Sequence, residues 1–296
     1  MSLLLLTLSI LSAVAAPAPA PDASEQELYV NLTEILRRTD AAGGHKKGAA
    51  YNNRANAEEL HRFGAASWGY NWKTEQGALS FEQVPMFWGP YNNAKPILDA
   101  IDKKEANVRW VMGYNEPDEV VDNGGCEQSP SEAYRHWGNN MFPFADRGVK
   151  LVCPAITSFN TNVGHAGYPA GLAWLRQWAH FKGNPREFRC SACALHWYGP
   201  DGGGVSGKQQ AKLFIDYVSF AHQEVNTIFG WDMPLWITEF ATLPRGDTKL
   251  LAEFLAEVVP WMNGQPWIHR YSPFMAESMF TNGVLNAAGG VFKDVR

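Results

Sequence analysis

Two glutamates stand where chemistry is simplest to build. Glu116 lies in Gly113-Tyr114-Asn115-Glu116-Pro117-Asp118, and Glu239 in Trp236-Ile237-Thr238-Glu239-Phe240. Each comes at the end of an apolar run. Taken singly, such a glutamate can cap a helix or pair with an arginine. Two of them facing one another across a half-desolvated mouth can divide the roles of acid and nucleophile, because burial and mutual repulsion keep one protonated. Glycoside hydrolysis requires that constellation, with about 5–5.5 Å between the carboxyls when configuration is retained.

Aromatic residues crowd the same stretches. The chain holds 12 Trp, 10 Tyr and 16 Phe, and many adjoin Gly, Asn or Pro. Tyr51, Trp68, Tyr70, Trp72, Trp88, Trp197 and Tyr198 fall near the ends of apolar runs. A sugar ring has apolar C–H faces that an indole or phenol can cover. Asn52, Asn53, Asn71 and Asn115 are placed to meet its hydroxyls. About half of these rings are expected in the core instead, and alternation along a strand sends Trp197 and Tyr198 to opposite faces. His196 precedes them, and reads either as a hydrogen-bonded structural group or as a contact of substrate or carboxylate. No other histidine lies at metal-ligand spacing from it, so neither a metal nor an organic cofactor is expected.

These residues need elements to hold them. Eight short apolar runs read as strands: 47–51, 66–70, 84–88, 109–114, 150–154, 191–196, 234–238 and 269–274. Helical stretches separate most of them. Asn56 with Glu59 can cap the first, Ser129, Pro130 and Glu132 open another, and one begins near Tyr168 before Gly183. Patterns at 208–229 and 248–263 end at Gly230 and Gly264, while 71–83 carries no good helix and little chain remains for a last one. Alternating strands and helices imply parallel pairing. Eight units over residues 45–296 match the length of about 250 residues typical of a closed (β/α)8 TIM barrel, whose sites lie at the C-terminal strand ends. The open doubly wound sheet is the second choice.

The remaining features bound the partners. Twenty-five Lys and Arg against 30 Asp and Glu give a net charge of −5, which supports no nucleic-acid surface. Residues 1–16 have the apolar run and small-residue end of a secretory signal peptide, too short for stable membrane insertion. Residues 17–44 read as a Pro-Ala linker and a short helix over 24–38, with a glycosylation sequon at Asn31. A secreted, extracellular or cell-wall-associated monomer is expected. Cys190 and Cys193, three apart on a strand, lie too far apart to pair. Ordinary disulfides or buried thiols among Cys126, Cys153, Cys190 and Cys193 are expected, with the pairing open. Gly202, Gly204 and Gly207 spell a dinucleotide fingerprint, but the next strand-end acid comes too late and the strand is not the first, so a loop over the cleft is the better reading.

Taken in order, KKGAAYNN (46–53), SWGYNW (67–72), VPMFWG (84–89), GYNEPD (113–118), LHWYG (195–199) and WITEFA (236–241) resemble glycoside hydrolase family 128, the glycosyl hydrolase catalytic core group common in fungal secreted and cell-wall proteins. The resemblance spans roughly 46–275. It implies a retaining barrel of clan A acting on β-1,3-glucan, an endo-β-1,3-glucanase-like hydrolase. It also implies Glu116 as general acid/base, Glu239 as nucleophile, Asn115 on the sugar 2-hydroxyl, and Tyr198 or His196 orienting the nucleophile. Tyr51, Asn52, Trp68, Tyr70, Asn71 and Trp88 complete the expected substrate contacts. Pro273 stands where the family commonly has a Trp. That departure motivates an alternative, a β-glucan-binding wall protein with little or no catalysis. A third reading keeps the chemistry and changes the polymer to a β-1,4 or mixed-linked glucan or a mannan.

Overall fold

A computed structural model describes residues 46–75, 77–200 and 204–295. The expected signal peptide, linker, first helix and sequon lie outside the described residues.

Parallel strands form two sheets. β1 (Gly48–Ala50), β2 (Trp68–Tyr70) and β3 (Glu82–Gln83) make one. β4 (Trp110–Met112), β5 (Lys150–Val152), β6 (Cys190–Tyr198), β7 (Leu235–Ala241) and β8 (Ile268–Tyr271) make the other, in that order. Single parallel bridges, Lys47 to Tyr271 and Met86 to Met112, link edge to edge. The fold is therefore α/β with a curled parallel sheet. All eight expected runs carry strand or bridge residues. The third is the least regular: Pro85 has no N–H, and the run is held by isolated bonds such as Val84 N to Gly69 O, Met112 N to Pro85 O and Phe87 N to Met112 O.

Seven α-helices lie among the described residues: α1 (Arg54–Arg62), α2 (Lys95–Asp102), α3 (Pro130–Ala145), α4 (Leu172–Ala179), α5 (Gly207–Phe229), α6 (Thr248–Gly264) and α7 (Ala287–Asp294). Ser129 and Glu132 form the expected capping box, and Gly230 ends α5 in the left-handed region. Three boundaries differ from the sequence pattern. Asn53, not Asn56, caps α1 through Ala55 N. α4 starts at Leu172 rather than near Tyr168, because Gly171 N and Leu172 N are held by Asp118 and Asn160 side chains. A last helix, α7, does form, capped by Asn286. It follows a small antiparallel hairpin, β9 (Phe280–Thr281) and β10 (Val284–Leu285).

Alternation divides the core. Ala50, Trp68, Tyr70, Met86, Trp110, Met112, Ala194 and Trp236 pack together on the inner face of the curl. Val111, Leu151, Leu195, Ile237 and Trp197 face the helices, where Trp197 stacks on Phe254. Cys153 after β5 pairs with Cys190 at the start of β6, their Cα atoms 5.6 Å apart, while Cys126 and Cys193 are buried thiols.

Gly207 explains part of the glycine pattern. A Cβ there would lie 2.5 Å from both Glu253 Cβ and Leu250 O, so this glycine lets α5 approach α6. Gly207→Ala is expected to lower the unfolding free energy by about 1–3 kcal/mol through that overlap, read as a lower urea midpoint. An unchanged midpoint would show that the helices separate freely.

Candidate active site

Glu116 follows β4 on a turn of unusual backbone. Its φ is 40°, a left-handed conformation that residues other than glycine adopt at a cost. Backbone bonds hold it there. Asn115 N donates to Trp88 O at 2.9 Å, and Glu116 N to Ala155 O at 2.7 Å. Asn115 Nδ2 donates to Gly124 O at 3.0 Å, which ties the loop back on itself. The side chain is thereby aimed into the mouth of the curl, and the residue is only 8% exposed.

Glu239 reaches the same place by another device. Strict alternation from Trp236, which faces the inner core, would turn Glu239 outward. The β6–β7 register shifts between Leu195 and His196, so that His196 pairs with Glu239 rather than with Thr238. This bulge turns Glu239 inward. Two donors then fix its carboxylate: Trp72 Nε1 to Oε1 at 2.8 Å and the Tyr198 hydroxyl to Oε2 at 2.5 Å.

His196 stands between the acids, fully buried. Its Nδ1 lies 2.8 Å from Glu116 Oε1 and 3.5 Å from Glu239 Oε2, and its Nε2 lies 2.9 Å from Thr238 Oγ1. Ligand atoms of Glu116, His196 and Glu239 all fall within 4.8 Å of one another. That spacing would suit a cation, yet both Glu239 oxygens, Glu116 Oε1 and both ring nitrogens already have partners within the chain.

Electrostatics separates the carboxyls. Burial pushes the Glu116 carboxyl up to about 7; the His196 hydrogen bond and charge work against this, and the Glu239 charge adds to it. For His196, burial pulls downward, but the Glu239 charge and the Glu116 hydrogen bond outweigh it and the net shift is upward. Burial and the Glu239 charge hold the Tyr198 phenol far above its ordinary range, so it remains a donor. The arrangement offers one carboxyl that burial inclines to keep its proton beside a second carboxyl oriented by two donors.

A cavity of about 810 Å³ opens over this trio. Of the residues expected at the site, Asn52, Trp88, Asn115, Glu116, His196, Tyr198 and Glu239 line it. Tyr51, Trp68, Tyr70 and Asn71 do not. Tyr51 is buried in the helix-facing core. Trp68 packs below the site against Trp236, with its Nε1 donating to Lys46 O. Tyr70 is fully buried and donates its hydroxyl to Thr238 O, so it braces β7, the strand that carries Glu239. Asn71 is buried and donates to Glu75. Period-2 patterning cannot tell the mouth of a curled sheet from its floor, which accounts for Trp68 and Tyr70.

Sequence reasoning passed over other lining residues. Arg245 lies over the Tyr198 and Phe274 rings, 5.3 and 5.4 Å from their centroids. Phe274, one place beyond Pro273, also meets Trp72 at 5.7 Å and gives the cavity an aromatic wall after β8. Its position in the run 269–274 was the available signal. Thr157, Ser158, Phe159 and His165 also line the cavity, from a loop with no motif.

The curled parallel sheet and the paired carboxyls at its mouth define a glycosidase-type site. Residues 48–293 match the glycosyl hydrolase catalytic core family, and the chain belongs to it. It is similar to a family 128 (subgroup III) curdlan-specific exo-β-1,3-glucanase from Blastomyces gilchristii, with a TM-score of 0.68 and 28% identity over 84% of this chain and 98% of that one. A family 128 (subgroup II) endo-β-1,3-glucanase from Sorangium cellulosum shares the fold, with a TM-score of 0.67 and 24% identity over 85% and 99% of the two chains. In sequence, alkali-sensitive linkage protein 1 of Schizosaccharomyces pombe is 24% identical over 231 residues. That match takes in 74% of this chain and 36% of the relative's length.

Because His196 favours the ionised form of Glu116, its removal has a signed consequence. In His196→Leu, the Glu116 carboxyl is expected to titrate above about 7, followed by its side-chain carbon resonance in NMR. A downward shift would contradict the placement of His196.

Proposed function

We propose that this protein is a retaining hydrolase that cleaves β-1,3-glucan internally, on a closed (β/α)8 barrel, with Glu116 as general acid/base and Glu239 as nucleophile. One observation carries the reading: two buried carboxyls with oxygen atoms within 4.8 Å of each other, and burial that raises the proton affinity of Glu116. Their closeness supports retention, since inverting enzymes hold the carboxyls about 6.5–9.5 Å apart to admit a water.

The chemistry follows from the geometry. Glu239, oriented by Trp72 and Tyr198, attacks the anomeric carbon from below. Protonated Glu116 gives its proton to the departing glycosidic oxygen. The bond to that oxygen breaks as the bond to Glu239 forms. Glu116, now ionised, takes a proton from water, and that water displaces Glu239 to regenerate both groups. Asn115 is the candidate donor to the 2-hydroxyl beside Glu239.

Several observations support the finer points. The bridges Lys47–Tyr271 and Met86–Met112 support barrel closure. The names of the similar enzymes support a β-1,3-linked substrate. The cavity continues past Arg245 and Phe274 into a recess of about 430 Å³, room for further sugar units and hence for internal cleavage. The leader-like N-terminus and the Cys153–Cys190 disulfide support secretion. The Phe274 ring supports catalysis over a binding-only role, because it gives the cavity an aromatic wall beside Pro273.

Glu239→Gln is expected to cut reducing-sugar release from laminarin by about a thousandfold or more, roughly 4 kcal/mol of transition-state stabilisation; wild-type turnover would refute the nucleophile. Glu116→Gln should be nearly as slow on laminarin yet remain active on an aryl glycoside whose leaving group needs no proton. Because Glu116 must be protonated, kcat/KM on laminarin should decline as pH rises through about 7. A profile still rising above that pH would contradict the assignment.

A further inference from the structure

At the edge of the catalytic cavity, the loop between β5 and α4 exposes large apolar side chains. Phe159 is 53% exposed and Val163 70%. Both border a recess of about 440 Å³. Glu119, Ser158, Phe159 and His165 line this recess and the catalytic cavity alike, so the two adjoin.

The loop is built to keep the ring in place. Buried Asp118 accepts from Thr157 Oγ1 at 2.6 Å, Gly171 N at 2.7 Å and Thr157 N at 3.1 Å. Asn160 Oδ1 accepts from Leu172 N at 2.9 Å, and Thr161 bridges to Ala170. The His165 ring lies 5.8 Å from that of Phe159, and its Nδ1 is within 2.8 Å of a Glu119 oxygen. Glu119 is itself held by Val120 N at 2.9 Å and Asn123 Nδ2 at 3.1 Å. A surface fixed beforehand loses little freedom when a ligand lands on it.

The recess opens beside the loop that carries Glu116, three residues before Glu119. A general acid sits against the oxygen that leaves, so the departing chain runs off on its side. We propose that Phe159, flanked by His165 and Glu119, is a subsite for the leaving-group portion of a β-glucan chain. The apolar face of a glucosyl unit covers the ring, and the Glu119 carboxylate and the Ser158 hydroxyl meet its hydroxyls. This inference rests on the glycosidase reading and adds to it where the polymer continues beyond the cleaved bond.

Phe159→Ala tests it. The side chain is half exposed, so the variant should fold, and an unchanged melting temperature checks that. Kinetics are compared on laminarin and on β-laminaribiosyl fluoride, whose one-atom leaving group cannot cover the Phe159 ring. Expected is a kcat/KM about threefold to tenfold lower on laminarin, unchanged on the fluoride, with recovery in Phe159→Trp. Equal losses on both substrates, or no loss on laminarin, would overturn the subsite. Should the wild-type protein hydrolyse neither, the glycosidase reading fails on its own. Calorimetric binding of laminarihexaose to wild type and Phe159→Ala then decides the subsite: weaker binding by the variant supports it, and equal binding overturns it.

Discussion

The site depends on an electrostatic conflict. Glu116 and Glu239 bring ligand oxygens within 4.8 Å of each other in a buried cavity, where two like charges are costly. The protein resolves this unequally. Glu239 accepts hydrogen bonds from an indole and a phenol, while Glu116 sits where burial favours its protonated form. His196 lies against both and limits the upward shift at Glu116. Without it the Glu116 proton would be harder to give up, and the general-acid role proposed for Glu116 requires a proton that is both held and released near working pH.

Backbone irregularity is what makes this closeness possible. A regular β7 would turn Glu239 toward the helices, and the register shift against β6 turns it inward. An ordinary turn would not seat Glu116 under Ala155 and Trp88, and its positive φ does. The neighbouring elements hold both departures in place. Tyr70 braces Thr238 from beneath, and Asp118 straps the loop after β4 to the loop after β5. The strain sits at the chemistry, and the regular strands below absorb it.

Much of this was legible in the residues, and the limits are physical. The glutamates stood out because each ends an apolar run, and the capping box at Ser129 and the left-handed Gly230 follow from local chemistry alone. The inward turn of Glu239 was not legible, because period-2 alternation argues the other way. Trp68 and Tyr70 look like sugar platforms in one dimension, yet one forms the floor and the other a brace. The Cys153–Cys190 pair depends on β5 and β6 lying side by side, which no spacing rule supplies. Phe274 follows Pro273 directly, and nothing in the run 269–274 marks which residue faces the cavity. Loops resist sequence reading most, and those lining the groove decide which polymer fits.

The central claim is that Glu239 bonds covalently to the sugar while Glu116 handles the proton. A 2-deoxy-2-fluoro laminaribiosyl donor with a good leaving group slows the second step and accumulates the intermediate. Peptide mass spectrometry of the trapped protein should find one glycosyl unit on the peptide containing Glu239, and none on that containing Glu116. A label on any other residue, or turnover with inverted configuration and no trapped species, would contradict the account.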